Sequence, residues 1–378
     1  MNARRAIRWR AGGLGVALAL LASAAAAADK ELGALGIEWR APMFVEMSGT
    51  PASADGRVFV VDGAISALAI ATGARLWRSA LGEFSPRCLT MAADRVIAAG
   101  ETVVALDAAT GAERWRHRLS AHAALACGAF AQGRFISGTS EGEVFALDAA
   151  GVLLWSERIG DPNGVRPALI RGVTIDQGIA YVAAEQWRTA NGMQSSALVV
   201  AIDIGAGRRL WTTSYGGADE RRSASAPPAV AADLIVVPDA LGNSIFALDR
   251  DSGRIRWRFD GKRDAAGFPE TPLVEGDRVY AASGDTHVYA IDRSTGVKLW
   301  QARLPASAGA LARCGNRLVA VYQGLAAIEP QDGRVLQRLL DEEGDFIGSG
   351  MTVVDHRAAL QHVGAGHSQG LNVVRISS

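Results

Sequence analysis

The sequence predicts an all-β fold: a single ring of eight four-stranded antiparallel blades, a β-propeller, over residues 29–378. Three observations carry this. A motif of Ala, Asp, Thr or Ser, Gly and Trp recurs at fixed spacing through the chain. Each copy follows two short β-like runs separated by turn residues. The 350 residues after residue 28 give about 44 per unit, the size of a four-stranded blade.

The first segment stands apart. Arg4, Arg5, Arg8 and Arg10 precede an apolar stretch from Leu14 to Leu21 and an alanine run. Residues 1–28 therefore read as a secretory signal peptide, with cleavage expected between Ala28 and Asp29. The apolar stretch is short of the roughly 20 residues needed to cross a bilayer, and no later segment is long enough. No cysteine stands at the expected cleavage site to become a lipidated N-terminus, so the exported product is expected in the periplasm and not as a lipoprotein.

The clearest repeat runs from Ala105 to Trp115, with Asp107, Thr110 and Gly111 between them. Asp249, Gly253 and Trp257 form a second copy, and Asp292, Gly296 and Trp300 a third. Looser copies end in Gly73/Trp77, Gly151/Trp155 and Gly207/Trp211. A seventh keeps Ala327, Glu329 and Gly333 but has Gln337 where tryptophan is expected. The glycine suits a positive φ in a short hairpin, the Asp accepts backbone N–H groups of the turn it opens, and the Trp covers the neighbouring blade. These residues read as structural. The eighth copy, Leu371 to Ile376, lacks an outer strand, while the strand of Trp39 lacks a blade. Pairing the two closes the ring and removes both exposed edges. The closed ring is expected to be monomeric by itself.

The composition is that of a globular chain, 49% hydrophobic and 21% charged. With 39 Lys+Arg against 39 Asp+Glu there is no basic excess, so nucleic acid is not the expected partner. Aligning the blades puts Thr50, Cys88, Cys127, Gly172, Pro227, Thr271, Ala310 and Gly350 at one position beside the axis. Cys88 and Cys127 could thus form a disulfide across a blade interface in an oxidising compartment. Two buried thiols are the alternative, and the strict geometry of disulfides favours them. Cys314 is offset in its blade and expected to be unpaired. His356, His362 and His367 lie at turns and a strand end that need not converge, so no metal is expected.

The pattern Ala-x-Asp-x-x-Thr-Gly-x-x-x-Trp resembles the repeat of the PQQ-like β-propeller family, and the match covers essentially the whole chain after the leader. The resemblance implies one of two branches. Quinoprotein dehydrogenases hold PQQ and calcium at the axis, often beside an adjacent-cysteine disulfide, and the three cysteines here are not adjacent. The other branch, the BamB-like proteins, consists of non-enzymatic envelope scaffolds that assist outer-membrane β-barrel assembly. Length, export and blade count fit the second. The expectation is thus a protein with no catalytic residues and no cofactor, whose partner is an envelope protein such as the outer-membrane assembly barrel. A generic envelope adaptor is the alternative, and a PQQ-dependent dehydrogenase is less favoured.

Function is expected on one rim, where second-to-third-strand hairpins and blade-to-blade links emerge together. Blade four carries an insertion at residues 186–193. Trp187, Arg188, Arg221, Arg222, Lys262, Arg263 and Phe268 mix aromatic and basic character and form the candidate partner face.

Overall fold

The structure, a computed structural model, describes residues 35–42, 49–81, 86, 88–119, 126–160, 167–187, 195–215, 222–262, 266–340, 344–364 and 369–376. The expected leader and its cleavage site lie outside these residues. Eight sheets form, each of four antiparallel strands. Blades one to seven occupy residues 52–79, 88–118, 129–158, 169–215, 229–260, 273–303 and 311–339. Blade eight takes three strands from residues 344–376 and its outermost from Leu35–Pro42. The innermost strands of adjacent blades touch one another all the way round, so the sheets close into a ring.

Blade six shows why the sequence folds this way. Its strands are Leu273–Glu275, Arg278–Ala282, His287–Asp292 and Lys298–Arg303. The second and third are apolar on both sides and buried on both, because each sheet is packed between two others. The outer strand alternates charged and apolar residues and faces solvent. The core is consequently divided into eight clusters, one at each blade interface.

One kind of contact recurs at seven of the eight blade interfaces. Trp77, Trp115, Trp155, Trp211, Trp257 and Trp300, together with Trp39, lie against the turn glycine of the following blade. A Cβ on that glycine would come within 2.4–2.8 Å of the ring. These seven glycines, from Gly73 to Gly333, also have φ of +67° to +81°, so backbone and neighbour both require glycine. Each indole N–H donates to a carbonyl of the same turn at 2.7–3.0 Å. The alanine of the motif has its own role: Ala105 pairs across the sheet with Trp115, and Ala247 and Ala290 with Trp257 and Trp300. A small residue there leaves space for the indole. A bulge follows at this point in each of blades one to seven, leaving one extra residue on the outer strand just before the Trp or Gln.

The motif carboxylates clamp their turns. Asp107 Oδ1 accepts the Ala109 and Thr110 N–H groups, and Asp249 Oδ1 that of Ser252. Asp292 Oδ1 accepts the N–H groups and hydroxyls of Ser294 and Thr295. These bonds favour the ionised form and hold the Asp292 carboxyl down at about 2.

Closure follows the expected pairing. Leu35 faces Ile376 and Trp39 faces Val373 in an antiparallel register. Blade seven docks here, where the third and outer strands of blade eight come from opposite chain ends and no hairpin turn joins them. In place of the missing tryptophan, Gln337 Oε1 accepts the Leu35 N–H at 2.8 Å. The substitution of Gln for Trp thus falls at the seam that has no turn glycine to receive an indole.

The axis residues also meet. Cys88 and Cys127 are disulfide-bonded, with Cα atoms 5.3 Å apart, so the bonded alternative holds and the favoured pair of free thiols does not. Several equivalent positions in adjacent blades approach closely here: a Cβ on Gly172 would lie 2.5 Å from Pro227, and one on Gly350 2.9 Å from Thr50. Cys127 also forms a parallel bridge with Gly172, and Thr271 Oγ1 donates to the Pro227 carbonyl at 2.8 Å. Cys314 is free and buried.

Deleting residues 372–378 removes the strand partners of residues 35–40, and calorimetry should show loss of the single cooperative melt. An unchanged transition would mean the seam does not hold the ring. The Asp292 clamp contributes stability above the unfolded carboxyl value of about 3.9 and loses it as pH falls through about 2. The difference in Tm between the parent and Asp292→Ala should therefore be widest near neutrality and shrink between about pH 4 and pH 2. A constant difference would mean that the clamp does not act through its charge.

Candidate functional site

The hairpin and link rim of blades four to six is the best-defined polar assembly among the described residues. In blade four, the second strand Ile179–Trp187 and third strand Ser195–Asp203 are nine residues each and raise their hairpin above the ring. The link that follows folds back onto this hairpin: Arg222 N–H donates to the Ser195 carbonyl, and Ser195 Oγ donates to the Arg222 carbonyl. Glu185, 1% exposed, accepts from Arg171 at 2.5 Å and from Ser223 Oγ at 3.0 Å.

Arg222 then crosses to blade five. It is 4% exposed, and its Nη1 donates to Asp239 Oδ2 at 2.9 Å, Ser244 Oγ at 3.1 Å and the Gly242 carbonyl at 3.3 Å. Its guanidinium lies 5.7 Å from the centre of the Phe246 ring. Asp239, itself fully buried, also accepts the N–H groups of Ser223, Leu241 and Gly242. A Cβ on Gly242 would lie 1.9 Å from Arg222 Nη1, so only glycine admits the guanidinium. The Tyr215 hydroxyl is buried nearby, and desolvation pushes its pKa well up.

The next link is fastened similarly. Phe268 N–H donates to the Asp239 carbonyl, and its own carbonyl accepts from Ser225 Oγ. The Phe268 ring is fully buried, edge-on to Tyr289 at 6.0 Å and to Phe259 at 6.2 Å. In blade six, Asp285 accepts from the Tyr289 hydroxyl at 2.6 Å and from the backbone N–H groups of His287 and Lys262. Burial and the Asp285 carboxylate raise the Tyr289 pKa, so the phenol stays a donor. The Lys262 ammonium lies 3.4 Å from His287 Nε2.

This geometry corrects part of the expected partner face. The loops do emerge together, as the hydrogen bonds between them show. Arg222 and Phe268, however, point inward: one satisfies a buried carboxylate and the other fills an aromatic cluster. They pin the loops and offer no surface to a partner. Trp187 is half-buried and Lys262 exposed. Arg188, Arg221 and Arg263 lie outside the described residues, as do 188–193 of the blade-four insertion. Leu241, at the tip of the blade-five hairpin and 46% exposed, belongs on this face and went unread in the sequence. An apolar residue inside the turn Asp239–Asn243 was the available signal.

Among the described residues no group of three His, Cys, Asp or Glu is placed to hold a metal ion. His356 sits exposed in a turn, and the side chain of His362 and all of His367 lie outside the described residues. The axis positions Thr50, Cys88, Cys127, Gly172, Pro227, Thr271, Ala310 and Gly350 themselves supply no carboxylate.

Eight blades, seven of their eight interfaces locked by a Trp on a turn glycine, define a propeller of PQQ-like repeats. The family model described as outer membrane protein assembly factor BamB matches residues 11–122, 99–212 and 195–345. The chain belongs to that family. A protein named outer membrane protein assembly factor BamB from Bordetella pertussis is 27% identical over 172 residues, 46% of this chain and 42% of that protein. The match therefore spans less than half of that relative. The crystal structure of BamB from Moraxella catarrhalis superposes with a TM-score of 0.69 at 17% identity, covering 91% of this chain and all of that one. Quinohemoprotein alcohol dehydrogenase from Comamonas testosteroni gives 0.68 at 16% identity, covering 90% of this chain and 76% of that one. At such identities these likenesses show the shared fold alone.

Removing one partner of a buried ion pair strands the other. Arg222→Met should cost about 3–5 kcal/mol in urea unfolding, whereas Lys262→Met, at an exposed position, should stay within about 0.5 kcal/mol. Equal effects would mean that the Arg222 pair does not brace the rim.

Proposed function

We propose that this chain is a non-enzymatic scaffold of the bacterial envelope that assists assembly of outer-membrane β-barrel proteins. Membership of the BamB family carries the reading, since the family model covers most of the chain. Two features support that compartment. The leader at residues 1–28 has the charge and length of an export signal, and the Cys88–Cys127 bond suits an oxidising space such as the periplasm.

The rim of blades four to six is the proposed partner surface. The described parts of its loops are held by Arg222, Asp239 and Phe268, so those parts have little ordering entropy to lose when a partner docks. The side chains offered outward are Trp187, Leu241 and Lys262, with Arg188, Arg221 and Arg263 assigned to the same loops from the sequence. The partner is an envelope protein, the outer-membrane assembly barrel being the one that the family implies.

In-cell crosslinking of the tagged protein, read by mass spectrometry, should recover the periplasmic part of the assembly barrel. Leu241→Asp combined with Lys262→Glu should reduce that recovery at least tenfold while leaving the Tm unchanged. Recovery of a different envelope protein would replace the assembly role with that of a general adaptor.

A further inference from the structure

Beside the pinned rim lies a cavity of about 350 Å³, between the link that enters blade six and the link that leaves it. Ala240, Ala266, Gly267 and Pro269 line one side, and Gly284 with Ser307–Gly309 the other. These walls are small and largely apolar, and the one ionisable group among them is the carboxyl of Glu270. The backbone fixes their shape: Gly267 N–H donates to the Ala240 carbonyl, Gly284 N–H to the Gly267 carbonyl, and Ser307 Oγ to the Gly284 carbonyl.

Glu270 differs from every buried acid around it. Glu185, Asp239 and Asp285 each accept two or more hydrogen bonds. Among the described residues the half-buried Glu270 carboxyl has neither a hydrogen-bond donor nor a cationic partner. Burial alone pushes its pKa up to about 7. A carboxyl kept in such a place is a cost to the fold that an internal partner elsewhere on this rim always offsets. The chemistry that matches this lining is a cation with a slender apolar stem, because the walls offer contact to methylene groups and the carboxylate offers charge.

We propose that this cavity binds an aliphatic ammonium group, its alkyl stem along the Ala266–Pro269 and Ala308 walls and its ammonium on the Glu270 carboxylate. The same chemistry is presented by the side chain of a lysine on another protein and by a free polyamine. The site is independent of the assembly reading, since it requires only this chain. No other residue lining the cavity titrates, and the neighbouring Asp285 carboxylate is turned to Tyr289 and His287. Ammonium binding therefore draws Glu270 into its charged form and releases its proton. Affinity rises with pH up to about 8, where Glu270 is already ionised and the amine still protonated.

Titration calorimetry on the whole chain with n-butylamine, in two buffers of different ionisation enthalpy, tests this. The expected result is a Kd of about 1–10 mM, with close to one proton released at pH 6 and almost none at pH 8.5. Glu270→Gln should weaken binding at least tenfold while keeping or raising the Tm, and Ala308→Leu should block the cavity. Two further probes separate the sources: tighter binding of an Nα-acetylated lysine methylamide points to a protein side chain, and tighter binding of spermidine to a free polyamine. Equal binding of 1-butanol, no saturation by n-butylamine, or an unaffected Glu270→Gln would each overturn the proposal.

Discussion

The architecture depends on an indole pressed against a glycine. An isolated four-stranded sheet leaves two apolar faces exposed, and each blade here covers both only through its neighbours. The Trp sets the separation of adjacent blades at the outer edge by filling the space over a turn too tight for a Cβ. Its N–H fixes the register of that contact, and the alanine across the strand makes room for the ring. Small residues do the corresponding work at the axis. Wide packing outside and narrow packing inside give a wedge, and eight wedges complete a circle.

Because the wedges are held at both edges, the loops on the rim start from fixed points. Their own fastenings then matter more than their sequence character. Arg222 and Phe268 show this: each has the residue type of an interface anchor, and each is consumed inside the protein. The family shares its scaffold with an alcohol dehydrogenase of nearly the same shape, so the ring carries little functional information. What distinguishes members must lie in the loop residues that remain facing outward.

The fold was legible because the repeat encodes one local contact, seven times over, at constant spacing. Its one exception, Gln337, was visible in the sequence but its reason was not: it falls where blade seven meets the strand Leu35–Pro42. The candidate site was harder to read. The burial of Arg222 depends on Asp239, seventeen residues away and on another hairpin, and no periodicity connects them. Cys88 and Cys127 were correctly placed at matching positions, yet their bonding turned on distances that only the assembled axis supplies. Glu270 lies just before the inner strand Leu273–Glu275, and nothing in the sequence singled it out. Only the two links folding over it create its cavity.

The seam of blade eight has a consequence for how the molecule is made. Seven blades form from contiguous hairpins, each closing over short stretches of chain. The eighth must bring Leu35 to Ile376, a loop closure across nearly the whole polypeptide and therefore the slowest search in the folding reaction. Until it succeeds the chain is an open arc with two bare sheet edges, and for that interval it is most vulnerable to pairing with another chain. The time each newly made molecule spends as an arc, rather than the strength of any single blade, sets its risk of aggregation.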